Sequence, residues 1–358
     1  MNPPTTCLPR IAGVAEAFPE HYYDQETLLG ALREMWRDSG INMATLERLH
    51  RHAGVQGRYL ALPVEQYGTL RSFGESNDLW IRCAEELGER AVRDVLDRAG
   101  LDLADVRALV FVSVTGVATP SIDARLVNRM GLPVTIKRIP LFGLGCVAGA
   151  AGLALSADLS RSYPDGAVVL LSVELCTLTV QLDDHSTANQ IATGLFGDGA
   201  AAVAIVGNGH AAHGPSIVAT RSVFYPNTER AMGWDISERG FKLVLDRDVP
   251  RLVAENLPGD VDRFLAEHDL ERRDIRSWIA HTGGPKILSA IQETLELPRD
   301  ALDLTWEQLR SVGNVSSASV LQVLNRTLEK GRLGPGEHGL LMAMGPGFCC
   351  ELVLVRGN

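Results

Sequence analysis

The sequence predicts an α/β protein made of two pseudo-duplicated halves, each a mainly parallel sheet covered by helices. Three observations carry this reading. Short, near-continuous apolar runs recur along the chain, as suits strands buried on both faces. Glycine-containing turns follow several of them. The order of elements is also the same on either side of a glycine-marked seam at 207–214.

Residues 15–104 read mostly as amphipathic helix, over 25–38, 44–52 and 79–99, and are placed as a cover for the sheet or the lining of an entrance. The run Asp105-Val-Arg-Ala-Leu-Val-Phe-Val-Ser113 is the first buried strand, closed by a turn-prone Thr115-Gly116. A helix follows at 122–130, and Gly143-Leu-Gly-Cys146 opens another that runs to about residue 160. A strand at 167–172 and the turn Phe196-Gly-Asp-Gly199 lead into a strand at 200–206. The series then repeats: a strand at 274–280 ends at His281-Thr-Gly-Gly284, and a helix follows from 286. Gly313-Asn-Val-Ser-Ser-Ala318 opens a helix to about 330, and after a strand at 338–343, Gly345-Pro-Gly347 turns into 348–356. A period of roughly 165 residues is far too long for a solenoid. It fits a duplicated unit, with 1–207 as the N-terminal half and its helical cover and 208–358 as the C-terminal half.

Composition narrows the partners. With 46% hydrophobic and 22% charged residues over 358 positions, the chain has ample material for a core and is not disordered. A net charge of −10 argues against nonspecific nucleic-acid binding, which needs a basic surface. Local arginines can still hold an anionic small ligand. The six cysteines (Cys7, Cys83, Cys146, Cys176, Cys349, Cys350) are too sparse for a disulfide framework and contain no CxxC pair. The first ten residues lack the basic start and apolar core of a signal peptide, and no apolar run approaches the ~20 residues that span a bilayer. A cytoplasmic protein without a membrane span is expected.

Three side chains stand where chemistry is expected. Ligands of such folds bind at the carboxyl ends of strands. If the halves correspond, Cys146 and Asn314 sit at matching helix starts and His281 at a strand end. A cysteine at a helix N-terminus gains thiolate stabilisation from the dipole and free backbone N–H groups, although a free cysteine is more often a small buried hydrophobe. A nearby His281 can pair with it as imidazolium and thiolate, then donate to a developing oxyanion. Asn314 can donate while neutral, and it equally suits the N-cap of the helix beginning near Ser316. His210-Ala-Ala-His213 has the spacing of a metal pair but no third ligand nearby, so no metal site is assigned. Cys, His and Asn together are what acyl-thioester chemistry needs: a nucleophile that carries an acyl group, and two donors that hold the enolate left when malonyl-CoA loses CO₂. No metal or redox cofactor is called for.

Gly145-Cys146-Val-Ala-Gly149, Phe196-Gly-Asp-Gly-Ala-Ala201, His281-Thr-Gly-Gly-Pro285, Gly313-Asn314-Val-Ser-Ser-Ala318 and Gly345-Pro-Gly347-Phe resemble, in order and spacing, the type III polyketide synthases, the chalcone synthase family. The likeness runs from about residue 10 to the C-terminus. It implies a thiolase-like fold with five α-β-α-β-α layers, a homodimer, and iterative condensation with malonyl-CoA. It assigns Cys146 as the acyl-bearing nucleophile, and His281 and Asn314 to decarboxylation and the oxyanion site. Phe196 matches the gatekeeping phenylalanine between CoA tunnel and cavity. For a second gatekeeper the alignment offers Leu243, with Phe241 two residues earlier. Cys176 stands at a cavity position, and Ser316 and Val114 are placed as substrate-binding residues. Thr119 falls where a side chain crosses into the partner's cavity. Arg48 and Arg58 match basic residues of the CoA-entrance helix region, and a solvated helix face is the plainer use of either. His52 and Thr45 replace lysines of the plant enzymes there.

Met232-Gly-Trp-Asp-Ile236 and Val114-Thr-Gly-Val-Ala-Thr-Pro120 look more like bacterial alkylpyrone and alkylresorcinol synthases than tetrahydroxynaphthalene or phloroglucinol synthases. That implies a long fatty acyl-CoA starter, two or three malonyl-CoA extensions, and a cyclised pyrone or resorcinol. The malonyl-primed synthases are the first alternative, and a ketoacyl synthase III-like single condensation on an acyl carrier protein is another. A non-catalytic homologue finds no support in motifs whose chemical positions are all filled. A nicotinamide-dependent oxidoreductase is the remote rival, because Gly143-Leu-Gly145-Cys-Val-Ala148 fits G-x-G-x-x-A and Glu174 ends a later strand. Against it, those glycines follow Pro140-Leu-Phe rather than a clean strand, and Glu174 lies 29 residues beyond Gly145.

Overall fold

The computed structural model describes residues 8–358; Met1 to Cys7 lie outside it. The N-terminal half starts with a strand that the sequence reading passed over, β1 (Arg10–Ala17), which lies in the middle of the sheet. The strand pair β2 (His21–Asp24) and β3 (Gly57–Leu60) brackets helices α1 (Gln25–Met35) and α2 (Met43–His52). Helix α3 (Phe73–Ala99), β4 (Val106–Val112), α4 (Ile122–Met130) and β5 (Lys137–Leu141) follow. Next come α5 (Ala148–Ser160), β6 (Ala167–Leu175), α6 (Thr187–Leu195) and β7 (Asp198–Val206).

The C-terminal half opens with β8 (Ser216–Phe224) and a hairpin of β9 (Met232–Ser237) and β10 (Gly240–Leu245). It continues with α7 (Val249–Ala266), β11 (Ile275–Ala280), α8 (Pro285–Thr294) and α9 (Asp303–Val312). The last elements are α10 (Ala318–Glu329), β12 (His338–Gly345) and β13 (Cys349–Arg356).

The duplication is visible in the strand order. From one edge the sheet runs β5-β4-β6-β7-β1 and continues β8-β13-β12-β11, with β1 and β8 joined by a single pairing, Arg10 with Ser216. Parallel neighbours are β4 with β5 and β6, and β11 with β12; the inner pairings are antiparallel. Both β4 and β11 are entered through a single 3-10 turn with reciprocal acidic capping, Asp102 with Asp105 and Glu271 with Asp274.

Three apolar clusters separate five layers. Leu87, Val92 and Val95 of α3 and Leu126 of α4 cover one outer face of the N-terminal sheet. Val253, Val261 and Phe264 of α7 cover the opposite outer face, against Leu340 and Leu352. Between the two halves of the sheet lie α5 and α10, whose Leu153, Ala157, Val320 and Leu324 meet side chains of both. The sequence Ala148-Gly-Ala-Ala-Gly-Leu153 of α5 is apolar around its circumference because this end of the helix is enclosed; water is met only further on, at exposed Asp158. Truncating its fully buried Leu153 costs about 2–5 kcal/mol.

This is the thiolase-like arrangement that the resemblance implied. Three expectations change. The nine-stranded sheet is mixed rather than mainly parallel, with three parallel pairings against five antiparallel ones. Pro140 lies within β5, an edge strand, where a missing N–H is tolerated, so a strand does precede the Gly143–Gly145 turn. The span 15–104 holds the expected helices but also the end of β1 and the β2–β3 pair. Among the described residues no helix is long and apolar enough to cross a membrane.

Candidate active site

The carboxyl ends of the strands open on one cavity of about 1260 Å³. Cys146, His281 and Asn314 all line it, so residues far apart in sequence share one space. Each arrives by a different local device.

Cys146 lies in the 3-10 turn Gly145–Val147 that leads into α5. The turn needs glycine at 145: φ is +56°, and a Cβ would lie 2.6 Å from the ring of Pro346, which belongs to the other half. The Cys146 Sγ lies 3.7 Å from the Ser316 hydroxyl. Burial pushes the thiol up to about 12, opposed by the Ser316 contact and assisted by the buried Glu174 carboxylate.

His281 is the first residue beyond β11. Its backbone N–H donates to Met342 O at 3.0 Å, and its carbonyl accepts from Gly283 N–H at 2.9 Å. Both ring nitrogens are buried and have no protein partner. Burial alone lowers the imidazole to about 4, so it is neutral at physiological pH. Burial thus favours the thiol and the neutral imidazole, and works against the imidazolium–thiolate pair that the sequence offers.

Asn314 is not an N-cap, since α10 starts at Ala318 and its preceding residue is Ser317. Its Oδ1 accepts from Ser316 N–H at 2.8 Å, a local turn in which Ser316 takes the left-handed φ of +44°. Among the described residues the Asn314 Nδ2 hydrogens have no protein acceptor. Its backbone is tied to the residues around Phe196. Asn314 N–H donates to Leu195 O and Gly197 N–H donates to Asn314 O, each at 2.9 Å.

Of the substrate-binding residues expected from sequence, Phe196, Cys176, Val114, Ser316, Leu243, Phe241 and Arg58 line the same cavity. Phe241 and Leu243 alternate onto one face of β10, and the Phe241 ring packs against Phe73, Phe142 and Trp234. Thr119 and Arg48 do not line it; both are exposed. Arg58 is on β3 rather than a helix and is 4% exposed, so it is not a solvated cation. Its guanidinium donates to the carbonyls of Thr193 and Gly194 and to Gln25 Oε1.

Glu174, the ribose-binding acid of the remote dinucleotide reading, has a different setting. It is fully buried on β6, where its Oε2 accepts from Ser113 Oγ (3.2 Å), Val114 N–H (3.1 Å) and Thr115 Oγ1 (2.8 Å), and its Oε1 from Ser317 Oγ. Burial raises its pKa, against the pull of these donors. A carboxylate so enclosed cannot hold a ribose, which removes the dinucleotide reading. An acid within the apolar run Val168-Val-Leu-Leu-Ser-Val-Glu174 was the available signal for a buried network. Among the described residues no group of three or more His, Cys, Asp or Glu is placed to hold a metal; His210 Nδ1 accepts from Ala212 N–H.

Comparison with known proteins agrees with this geometry. The family models for chalcone and stilbene synthases match residues 8–210 (N-terminal domain) and 216–358 (C-terminal domain). A 1,3,6,8-tetrahydroxynaphthalene synthase of Streptomyces peucetius subsp. caesius is 49% identical over 97% of this chain and 92% of its own. A putative chalcone synthase of Bacillus subtilis is 36% identical over 96% of this chain and 97% of its own. The crystal structure of 1,3,6,8-tetrahydroxynaphthalene synthase from Streptomyces coelicolor A3(2) superposes with a TM-score of 0.92 at 31% identity, covering 98% of this chain and 99% of that one.

Proposed function

We propose, for a chain that belongs to the chalcone and stilbene synthase family and is a type III polyketide synthase, that malonyl-CoA serves as both starter and extender and that the product is a tetrahydroxynaphthalene. The observation that carries this is the 49% identity to a tetrahydroxynaphthalene synthase along nearly the whole chain, against 36% or less to the other relatives compared. It displaces the long-chain alkylpyrone or alkylresorcinol reading as the first choice.

In this reading Cys146 carries the growing acyl chain. Its thiol is protonated in the resting enzyme, so a base must take the proton as a thioester is attacked. Neutral His281, with spare lone-pair capacity, is that base. The bond from Sγ to the acyl carbon forms, the bond to CoA sulfur breaks, and the CoA thiolate takes the proton from the imidazolium. A second malonyl-CoA then loses CO₂. The electron pair of the breaking bond becomes an enolate, whose oxygen is held by the Asn314 Nδ2–H and an N–H of His281. The enolate carbon attacks the Cys146 thioester carbon, the bond to Sγ breaks and Cys146 leaves as thiolate, so the lengthened chain is now on CoA. The thiolate then attacks that CoA thioester, the bond to CoA sulfur breaks, and the CoA thiolate takes a proton from solvent as the chain returns to Cys146 for another round. No metal or redox step enters this sequence.

A second reading keeps one specific support. The cavity lining includes the apolar side chains of Leu28, Leu32, Met35, Val64 and Leu182, which would suit an alkyl starter. Incubation with malonyl-CoA alone and with a series of acyl-CoA starters, with products identified by mass, separates the two. Turnover of malonyl-CoA alone to a hydroxylated naphthalene is expected. Consumption only in the presence of a long acyl-CoA would overturn the malonyl-primed assignment. A homodimer belongs to the same reading, with the exposed Val117–Thr119 loop and Phe142 beside edge strand β5 at its contact, and Thr119 turned toward the partner's cavity.

A further inference from the structure

Arg58 poses a physical problem. A buried guanidinium ordinarily sits beside a carboxylate, because an unpaired charge is expensive to desolvate. Here no carboxylate among the described residues lies within ion-pair distance of it. Burial lowers its pKa to about 10, opposed chiefly by the Asp198 carboxylate, so it remains a cation at neutral pH.

What it touches is the last turn of α6. Nη1 donates to Gly194 O at 3.1 Å and Nη2 to Thr193 O. These are carbonyls without helical partners, at the negative end of the helix dipole, where a cation is favoured. Gln25 completes the clamp: its Oε1 accepts from Arg58, and its Nε2 donates to Gly194 O at 2.9 Å and His50 O at 3.3 Å. The buried His50 Nε2 meets Thr193 Oγ1 at 3.2 Å. The clamped carbonyls immediately precede Leu195, whose own carbonyl holds Asn314 N–H. The approach is tight, since a Cβ on Gly313 would lie 2.6 Å from Leu195 O.

We propose that Arg58 is a positioning residue, which with Gln25 fixes the end of α6 and thereby sets where the Asn314 amide stands in the cavity. The proposal rests on the reading of Asn314 as the enolate's oxyanion donor. An oxyanion site tolerates little displacement, and a shift near 1 Å costs on the order of 100-fold in rate. The sequence expectation for Arg58 was contact with CoA, and the two roles separate in kinetics.

The experiment measures malonyl-CoA decarboxylation (kcat and KM) and the rate of Cys146 alkylation by iodoacetamide in Arg58→Met, Arg58→Lys, Gln25→Met and Asn314→Ala. For Arg58→Met we expect kcat to fall about 10- to 100-fold, with KM and alkylation within about twofold of the parent. Arg58→Lys, able to reach one carbonyl as a point charge, recovers part of the loss. Gln25→Met shows the same pattern with a smaller fall, and it decides the matter if Arg58→Met does not fold. A raised KM with unchanged kcat overturns the proposal in favour of CoA contact. Unchanged kcat in Gln25→Met, or parallel losses of decarboxylation and alkylation, overturns it in favour of general support of the fold. Decarboxylation that survives in Asn314→Ala overturns the oxyanion reading and this proposal together, whereas its loss there beside an unaffected Arg58→Met defeats this proposal alone.

Discussion

The ends of β4 and β11 occupy equivalent places in the two halves and are used in opposite ways. Beyond β4, Ser113, Val114 and Thr115 direct their donors onto the Glu174 carboxylate, which Ser317 of the other half also approaches. Beyond β11, His281 has both ring nitrogens unpartnered, and so has the Thr282 hydroxyl. One strand end has its polar groups engaged within the protein; the other keeps them in reserve. Duplication supplied one scaffold twice; both strand ends border the cavity, and the unpartnered ring of His281 marks the one that offers hydrogen bonds to it.

The largest effect expected from this contrast is catalytic. His281→Gln should lower malonyl-CoA decarboxylation by about 100- to 1000-fold, read as CO₂ release, while leaving the unfolding free energy within about 1 kcal/mol. Glu174→Gln should reverse the emphasis. It places amide hydrogens against groups that already donate, and should destabilise the fold by about 2–4 kcal/mol in urea unfolding. A His281 variant that loses more stability than the Glu174 variant would break the comparison.

The next effect concerns pH. The imidazole of His281 falls from 6.5 in the unfolded chain to about 4 in the folded one. The unfolded state therefore binds more protons in that interval, and stability is present above about 6.5 and lost as pH falls toward 4. Urea midpoints measured across this window should decline less steeply in His281→Gln than in the parent; equal slopes would mean the ring is solvated. Since the Cys146 thiol sits near 12, iodoacetamide labelling should keep rising from neutral to alkaline pH. A plateau near neutrality would restore the ion pair.

The smallest effect lies at the surface. Arg239 pairs with Asp183 between exposed side chains where the β9–β10 hairpin meets the chain before α6. Arg239→Ala should change stability by less than about 1 kcal/mol in the same unfolding assay.

The legible parts of the sequence were those with a simple burial pattern. The apolar runs of β4, β6, β7, β11 and β12 stand out because both faces are covered, and the glycine turns beside Cys146, His281 and Asn314 mark where the chain must bend. β1 was missed because Arg10-Ile-Ala-Gly-Val-Ala-Glu-Ala17 is built of small residues that admit close helices; a Cβ on Gly13 would already lie 3.2 Å from Val95 O of α3. α6 was missed because Thr187-Ala-Asn-Gln-Ile-Ala-Thr-Gly-Leu195 has weak helix formers, and its ends are held by Ser186 and Arg58. The burial of Arg58 on a strand was not legible because arginine is ordinarily a surface residue, and only the third dimension reveals the carbonyls it serves. The protonation of Cys146 and His281 was likewise illegible, being set by enclosure rather than residue type.

Pro346 resting on Gly145 has a consequence for assembly of the site. The bend that presents the nucleophile is completed by a loop 200 positions beyond Cys146, in the other half. The N-terminal half therefore carries the thiol but not the whole of its setting, and the nucleophile takes its working posture only where the two halves have docked.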